Sequence, residues 1–157
     1  MLPTIRQVKE QDVEFLKVVI DSNALFPSEL LEGMMENYFN EPSSTDIWLT
    51  KEENNIPVAV AYCAPERFTE GTYNLYLIAV HKNYQGRSIG AEIIAYLEET
   101  LRTNGQRILL VETSGFPEFE LTRKFYEKCK YNREAVIRDF YREGEDKIVF
   151  WKKLNAV

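Results

Sequence analysis

The sequence predicts an α/β (α+β) domain with about seven strands and four helices. Three observations predict it: apolar residues recur at helical spacing in four stretches, short extended runs lie between them, and turn signals separate the two kinds of segment. No repeat, low-complexity tract or linker divides the 157 residues, so residues 1–157 are expected to form one domain. A chain of this length can bury a core without disulfides or metal.

The first strand is expected over Thr4 to Val8. Glu10 to Asp21 then carries Val13, Leu16, Val19 and Ile20 on one helical face. After the loop Ser22 to Phe26, a second helix is expected from about Pro27 to Tyr38, with acidic Glu29 and Glu32 near its start and Leu30, Leu31, Met34, Met35 and Tyr38 as its apolar stripe. Three neighbouring strands follow as an antiparallel meander: Ile47 to Thr50, Val58 to Cys63 and Tyr73 to Val80, separated by Glu53-Asn54-Asn55 and by a polar loop through Glu70-Gly71. The turn-rich segment His81 to Gly86 leads into a helix with Ile89, Ile93, Leu97 and Leu101 every four residues, which Asn104-Gly105 ends. Ile108 to Val111 is a continuous apolar run, the pattern of a strand covered on both faces. Leu121, Phe125 and Cys129 mark the fourth helix, and Ala135 to Phe140 and Ile148 to Trp151 are the closing strands across a turn at Gly144.

With 45% hydrophobic and 28% charged residues, the chain has the balance of a folded protein rather than a disordered one. The net charge of -6 argues against a nucleic-acid partner, whose phosphates need clustered Lys and Arg, and favours cationic ligands. Cys63 and Cys129 lack the short spacing of a zinc or redox pair and read as free thiols of a reducing, cytoplasmic protein. No stretch approaches the ~18 apolar residues of a membrane span, and the N-terminus lacks the apolar core of a signal peptide.

The informative segment is Tyr84-Gln85-Gly86-Arg87-Ser88-Ile89-Gly90, where an extended strand turns into a helix. Such a turn leaves backbone N–H groups pointing outward at the positive end of the helix dipole, which suits a pyrophosphate. Gly86 and Gly90 remove side chains that would block close approach, and Arg87 can add a charged contact. An ordinary tight turn with close helix packing would use the same glycines.

In its order of elements and in this segment the chain resembles the GNAT superfamily of N-acetyltransferases, over nearly its whole length. The family's acetyl-CoA motif, Gln/Arg-x-x-Gly-x-Gly/Ala, is met by Gln85-Gly86-Arg87-Ser88-Ile89-Gly90, with Ser88 in place of the first motif glycine. The resemblance implies a three-layer fold whose central sheet is mixed and mostly antiparallel, flanked by four helices. It implies acetyl-CoA as acyl donor, with no metal. Tyr76-Leu77-Ile78-Ala79-Val80-His81 is similar to the family's fourth strand, so Ile78, Ala79 and Val80 would offer main-chain groups to the pantetheine arm. Gln85, Gly86, Arg87, Ser88, Ile89 and Gly90 would hold the pyrophosphate. Thr122 to Tyr131 resembles the family's Ala-x-x-Phe/Leu-Tyr-x-x-x-Gly-Phe stretch, with Lys130 where glycine is usual, and Phe119 stands where many relatives have asparagine.

Acetyl transfer from a thioester to an amine needs a neutral nucleophile, stabilisation of the oxyanion and a proton for the departing thiolate. The resemblance puts the Tyr126 hydroxyl near the sulfur, which makes it the candidate general acid; a tyrosine that only packs beside Phe125 is the alternative. Backbone N–H groups released where the fourth strand splays would meet the oxyanion. Glu112, at the end of an apolar strand, is the leading base, against a solvated strand-end carboxylate or deprotonation relayed by water. His81, the only histidine, sits beside the phosphate turn rather than at the acceptor end. Phe26, Glu29 and Tyr141 lie on segments expected near the acceptor entrance.

The function this implies is transfer of an acetyl group from acetyl-CoA to a primary amine of a small molecule, amino acid or peptide. A non-catalytic acyl-CoA-binding sensor or interaction module with the same fold is the alternative, left open by Ser88, Phe119 and Lys130. A longer acyl donor or an alcohol acceptor also stays open. Edge strands of such a sheet can pair, so a homodimer is a further expectation.

Overall fold

The computed structural model describes residues 4–155. Its strands are β1 (Ile5–Gln7), β2 (Ile47–Glu53), β3 (Ile56–Pro65), β4 (Thr72–Val80), β5 (Ile108–Ser114), β6 (Asn132–Arg142) and β7 (Glu145–Lys153), and its helices α1 (Val13–Asn23), α2 (Leu31–Asn40), α3 (Ile89–Thr103) and α4 (Glu120–Lys128). The strands form one sheet in the order β1-β2-β3-β4-β5-β7-β6. Pairing is antiparallel for β1–β2, β2–β3, β5–β7 and β6–β7 and parallel for β4–β5, giving the mixed, mostly antiparallel sheet that was expected. Contacts divide the chain into two units, Met1–Ala64 with Leu77–Leu97, and Pro65–Tyr76 with Glu98–Val157.

In the first unit most of the apolar face read from the sequence is buried: Leu16, Val19 and Ile20 of α1 and Leu31 and Met35 of α2 pack with Trp48, Val60, Leu77 and Ala79, whereas Leu30, expected in the second stripe, is exposed in the turn before α2. Trp48 stacks on Tyr62 with ring centres 4.3 Å apart. Asn54 and Asn55 both take left-handed backbone (φ 53° and 66°), the conformation a tight hairpin between β2 and β3 demands and asparagine tolerates. Helix α1 differs from expectation at both ends. A 3-10 turn over Glu10–Asp12 precedes it, because the Asp12 carboxylate accepts the Lys9 amide at 2.7 Å and tightens the entry. At its other end it runs two residues past Asp21, to Asn23. The second helix likewise opens with a 3-10 turn, Ser28–Leu30, before α2 proper.

In the second unit β5 pairs with β4 over Thr72↔Ile108 to Leu75↔Val111 and with β7 over Ile108↔Lys153 to Ser114↔Lys147. The expectation of a strand covered on both faces is corrected: β5 is longer, and Leu109 and Val111 are buried while Ile108, Leu110 and Glu112 are only partly so. The buried face, with Tyr73, Leu75, Ile148 and Phe150, forms the core. The other face mixes Asn74, Glu112, Ser114 and Lys147 with the apolar Leu110, Val149 and Trp151. Strand β6 lies at the sheet edge, and every residue in it is exposed, including Val136, Ile137, Phe140 and Tyr141. Helix α4 ends in a left-handed Lys130 (φ 72°), with the Lys130 amide bonded to the Glu127 carbonyl and the Tyr131 amide to the Tyr126 carbonyl.

Candidate active site

The ladder joining β4 to β5 stops at Leu75↔Val111, yet β4 continues to Val80. Leu77 and Ala79 point into the first unit's core, which leaves Ile78 and Val80 on the opposite, partly exposed face. The His81 amide donates to the Val58 carbonyl at 2.8 Å, and a 3-10 turn (Lys82–Tyr84) follows with the Tyr84 amide on the His81 carbonyl. His81 Nδ1 accepts the Asn83 amide at 3.1 Å, so the histidine caps this turn.

Two left-handed residues then shape the loop into α3: Gly86 (φ 80°) and Ser88 (φ 64°). Gly86, Arg87 and Ser88 are exposed while Ile89 is buried and anchors the helix. The intrahelical ladder begins with the Glu92 amide on the Ser88 carbonyl at 3.0 Å, which leaves the amides of Ile89, Gly90 and Ala91 outside it. The Arg87 guanidinium lies 5.0 Å from the Tyr84 ring centre. Free amides, a helix N-terminus and a cation on an exposed turn are the donor set a pyrophosphate requires, so the residues present fit that group.

Gln85 uses its side chain differently. Its amide nitrogen donates to Asn23 Oδ1 (2.7 Å) and to the Val80 carbonyl (3.1 Å), and Asn23 donates to the same carbonyl at 2.9 Å. The side chain therefore ties the turn to the end of α1, and the Val80 carbonyl is already taken by two donors. Sequence reading missed Asn23 because it set the helix end at Asp21. The two extra residues of α1 bring it within reach of β4.

The remaining candidates are distributed between the units. Phe26 packs against the first unit's core, and Glu29 is exposed in the 3-10 turn before α2. In the second unit, Tyr126 is buried on α4, with ring centres of Phe125, Phe150 and Tyr131 at 5.4, 5.6 and 6.3 Å. Burial pushes its phenol well above the ordinary value, so the hydroxyl keeps its proton at neutral pH. Glu112 is inside β5 rather than at its end, and its Oε1 pairs with Lys147 Nζ at 3.1 Å. Lys147 also stands 3.6 Å over the Phe140 ring. Partial burial, then the carboxylates of Glu112 and Glu145, raise the Tyr141 phenol. Glu112, Lys147 and Tyr141 thus share one neighbourhood.

An extended strand that outruns its parallel neighbour and then turns through unladdered amides into a helix is an arrangement that fits a pyrophosphate-bearing acyl carrier. The Acetyltransferase (GNAT) family model matches residues 15–131. A GNAT-family acetyltransferase structure from Desulfovibrio desulfuricans is 30% identical, with TM-score 0.90 over 98% of this chain and 99% of that one. The ribosomal-protein-S18-alanine N-acetyltransferase of Escherichia coli shares the fold at 18% identity (TM-score 0.79, 99% and 96% covered), as does an aminoglycoside 6'-N-acetyltransferase solved with coenzyme A at 16% (TM-score 0.78, 100% and 99%). No curated protein matches significantly. The chain belongs to the GNAT family of acetyltransferases and is an acyltransferase of the N-acetyltransferase class; the family uses acetyl-CoA.

Proposed function

We propose that this protein transfers the acetyl group of acetyl-CoA directly to a primary amine of a small molecule, amino acid or peptide. The observation that carries the reading is the exposed turn from Gly86 to Ser88, with the unladdered amides of Ile89 and Gly90 at the start of α3. That turn and Arg87 would hold the pyrophosphate, and main-chain groups of Ile78, Ala79 and Val80 other than the Val80 carbonyl, which Asn23 and Gln85 occupy, would hold the pantetheine arm. The bound donor supplies an activated thioester.

In the transfer a C–N bond forms and the C–S bond breaks; the amine gives up one proton and the thiolate gains one. Tyr126 holds the proton for the sulfur, since burial keeps its phenol protonated. Glu112, or a water it orients, takes the proton of the amine, and Lys147 holds its carboxylate in place. Main-chain amides of β4 would meet the oxyanion. Phe26, Glu29 and Tyr141 would border the acceptor, and the two units would work as one acetyltransferase domain.

The test is release of CoA thiol from acetyl-CoA across a panel of amines. Turnover with any of them supports the reading. Silence with all, accompanied by a melting temperature raised by acetyl-CoA, would instead make the protein a non-catalytic acyl-CoA sensor. The fully exposed edge strand β6, with four large apolar residues, supports a homodimer, which light scattering would report. The unpaired thiols Cys63 and Cys129 support a cytoplasmic site of action.

A further inference from the structure

Asn74 lies in the interior of β4 and is 1% exposed. Its side-chain nitrogen donates to Glu66 Oε1 at 3.0 Å, and the Tyr76 hydroxyl donates to the same oxygen at 2.6 Å. The side-chain carbonyl of Asn74 is buried without a hydrogen-bond partner. Rotating the amide would not repair this, because it would set the Asn74 oxygen against the Glu66 carboxylate. The fold therefore bears an unsatisfied buried acceptor at the residue that fixes one carboxylate oxygen.

Both donors to Glu66 are neutral, so they orient the carboxylate without cancelling its charge. Among the described residues Glu66 forms no ion pair, and its second oxygen accepts no hydrogen bond. Its carboxyl lies below the ordinary range, chiefly through the Tyr76 hydrogen bond, with Asn74 and the charge of Lys147 outweighing the effect of burial. The Lys147 ammonium itself is committed to Glu112 and Phe140. Register puts these groups together: Asn74 faces Leu110, and Ser114 faces Lys147, so Asn74, Tyr76, Glu112 and Lys147 share the sheet face opposite Leu75, Val111 and Phe150.

We propose that Glu66, oriented by Asn74 and Tyr76, seats a second positive charge on the acceptor, so that the preferred substrates are amines carrying another amine that stays protonated while the first reacts. This inference rests on the amine-acceptor reading above. The reacting amine must lose its charge to attack, whereas the anchoring ammonium keeps its own and binds the open carboxylate oxygen. A charge-assisted hydrogen bond of this kind is worth about tenfold or more in binding.

The experiment compares cadaverine with pentylamine and putrescine with butylamine, in the wild type and in Glu66→Gln. The substitution keeps an acceptor oxygen for Asn74 and Tyr76 while removing the charge, and an unchanged melting temperature confirms the fold. The expected result is a kcat/KM at least about tenfold higher for a diamine than for its matched monoamine. In Glu66→Gln that ratio falls to about one through KM, with kcat and the monoamine rates unchanged. A wild-type ratio near one for both pairs, or a preference that survives the substitution, overturns the inference while turnover itself upholds the acetyltransferase. If no amine turns over, calorimetry of the same pairs on the CoA-loaded protein decides: diamine selectivity lost in Glu66→Gln supports the seat, and equal binding of diamine and monoamine refutes it.

Discussion

Lys147 places its ammonium 3.1 Å from the Glu112 carboxylate, with both side chains largely withdrawn from solvent. The pair fixes the Glu112 carboxylate on its sheet face. Replacing Glu112 by Gln preserves its shape but removes its capacity to take a proton, so kcat should fall about a hundredfold with the acetyl-CoA KM unchanged. A kcat within twofold of wild type would assign deprotonation to water. Lys147→Met strands a partly buried carboxylate instead, and should lower the unfolding free energy by about 1–2 kcal/mol, read from denaturant midpoints.

Ser88 and Lys130, which stand where the resembled GNAT motifs have glycine, both take left-handed backbone, at φ 64° and 72°. A side chain there is strained by about 1–2 kcal/mol, against which glycine loses some 0.5–1 kcal/mol of extra chain entropy. Lys130→Gly is therefore expected to raise stability by up to about 1 kcal/mol, seen as a melting temperature several degrees higher. Ser88→Gly should do the same and should leave acetyl-CoA affinity equal or tighter, measured by calorimetry. Weaker binding in Ser88→Gly would mean that the hydroxyl itself contacts the ligand.

Tyr126 is expected to act through its hydroxyl and to pack through its ring. Tyr126→Phe keeps the contacts with Phe125, Phe150 and Tyr131, so stability and acetyl-CoA binding should change little. Turnover should fall about ten- to a hundredfold, since proton donation to the leaving thiolate is lost. Undiminished turnover would leave Tyr126 a core residue only.

Much of this was legible in the chain because burial follows local periodicity. The spacing of Val13, Leu16, Val19 and Ile20 is a helix's own repeat, and Asn54-Asn55 states its turn. The turn into α3 was legible for the same reason: its glycine at position 86 is contiguous with the helix it opens, and takes left-handed backbone there. What the sequence hid depends on register between distant strands. The run Ile108 to Val111 ended at a charged residue, yet β5 continues to Ser114 because β7 pairs with it throughout, which moves Glu112 from a strand end to a strand interior. Asn23 was concealed by two residues of helix. Asn74 did leave a signal, since an asparagine inside an apolar strand must find partners, but only the fold reveals that its partner is Glu66.

Acid sensitivity should originate at Asp12, which is 3% exposed. Burial alone would raise its carboxyl, but Arg6 donates to both oxygens at 2.7 and 2.9 Å and the Lys9 amide donates at 2.7 Å, and the net effect is a lowered value. An aspartate whose folded pKa lies below its unfolded value of about 4 contributes its full stabilisation above that pH and loses it as pH falls through the folded value. Wild-type stability should therefore decline below about pH 4. Asp12→Asn cannot titrate and leaves Arg6 less well paired, so it should be about 1–3 kcal/mol less stable at neutral pH, with a shallower decline in acid. Urea midpoints measured from neutrality down to about pH 3 would read both effects. Parallel curves for the two proteins would move the acid-labile group elsewhere.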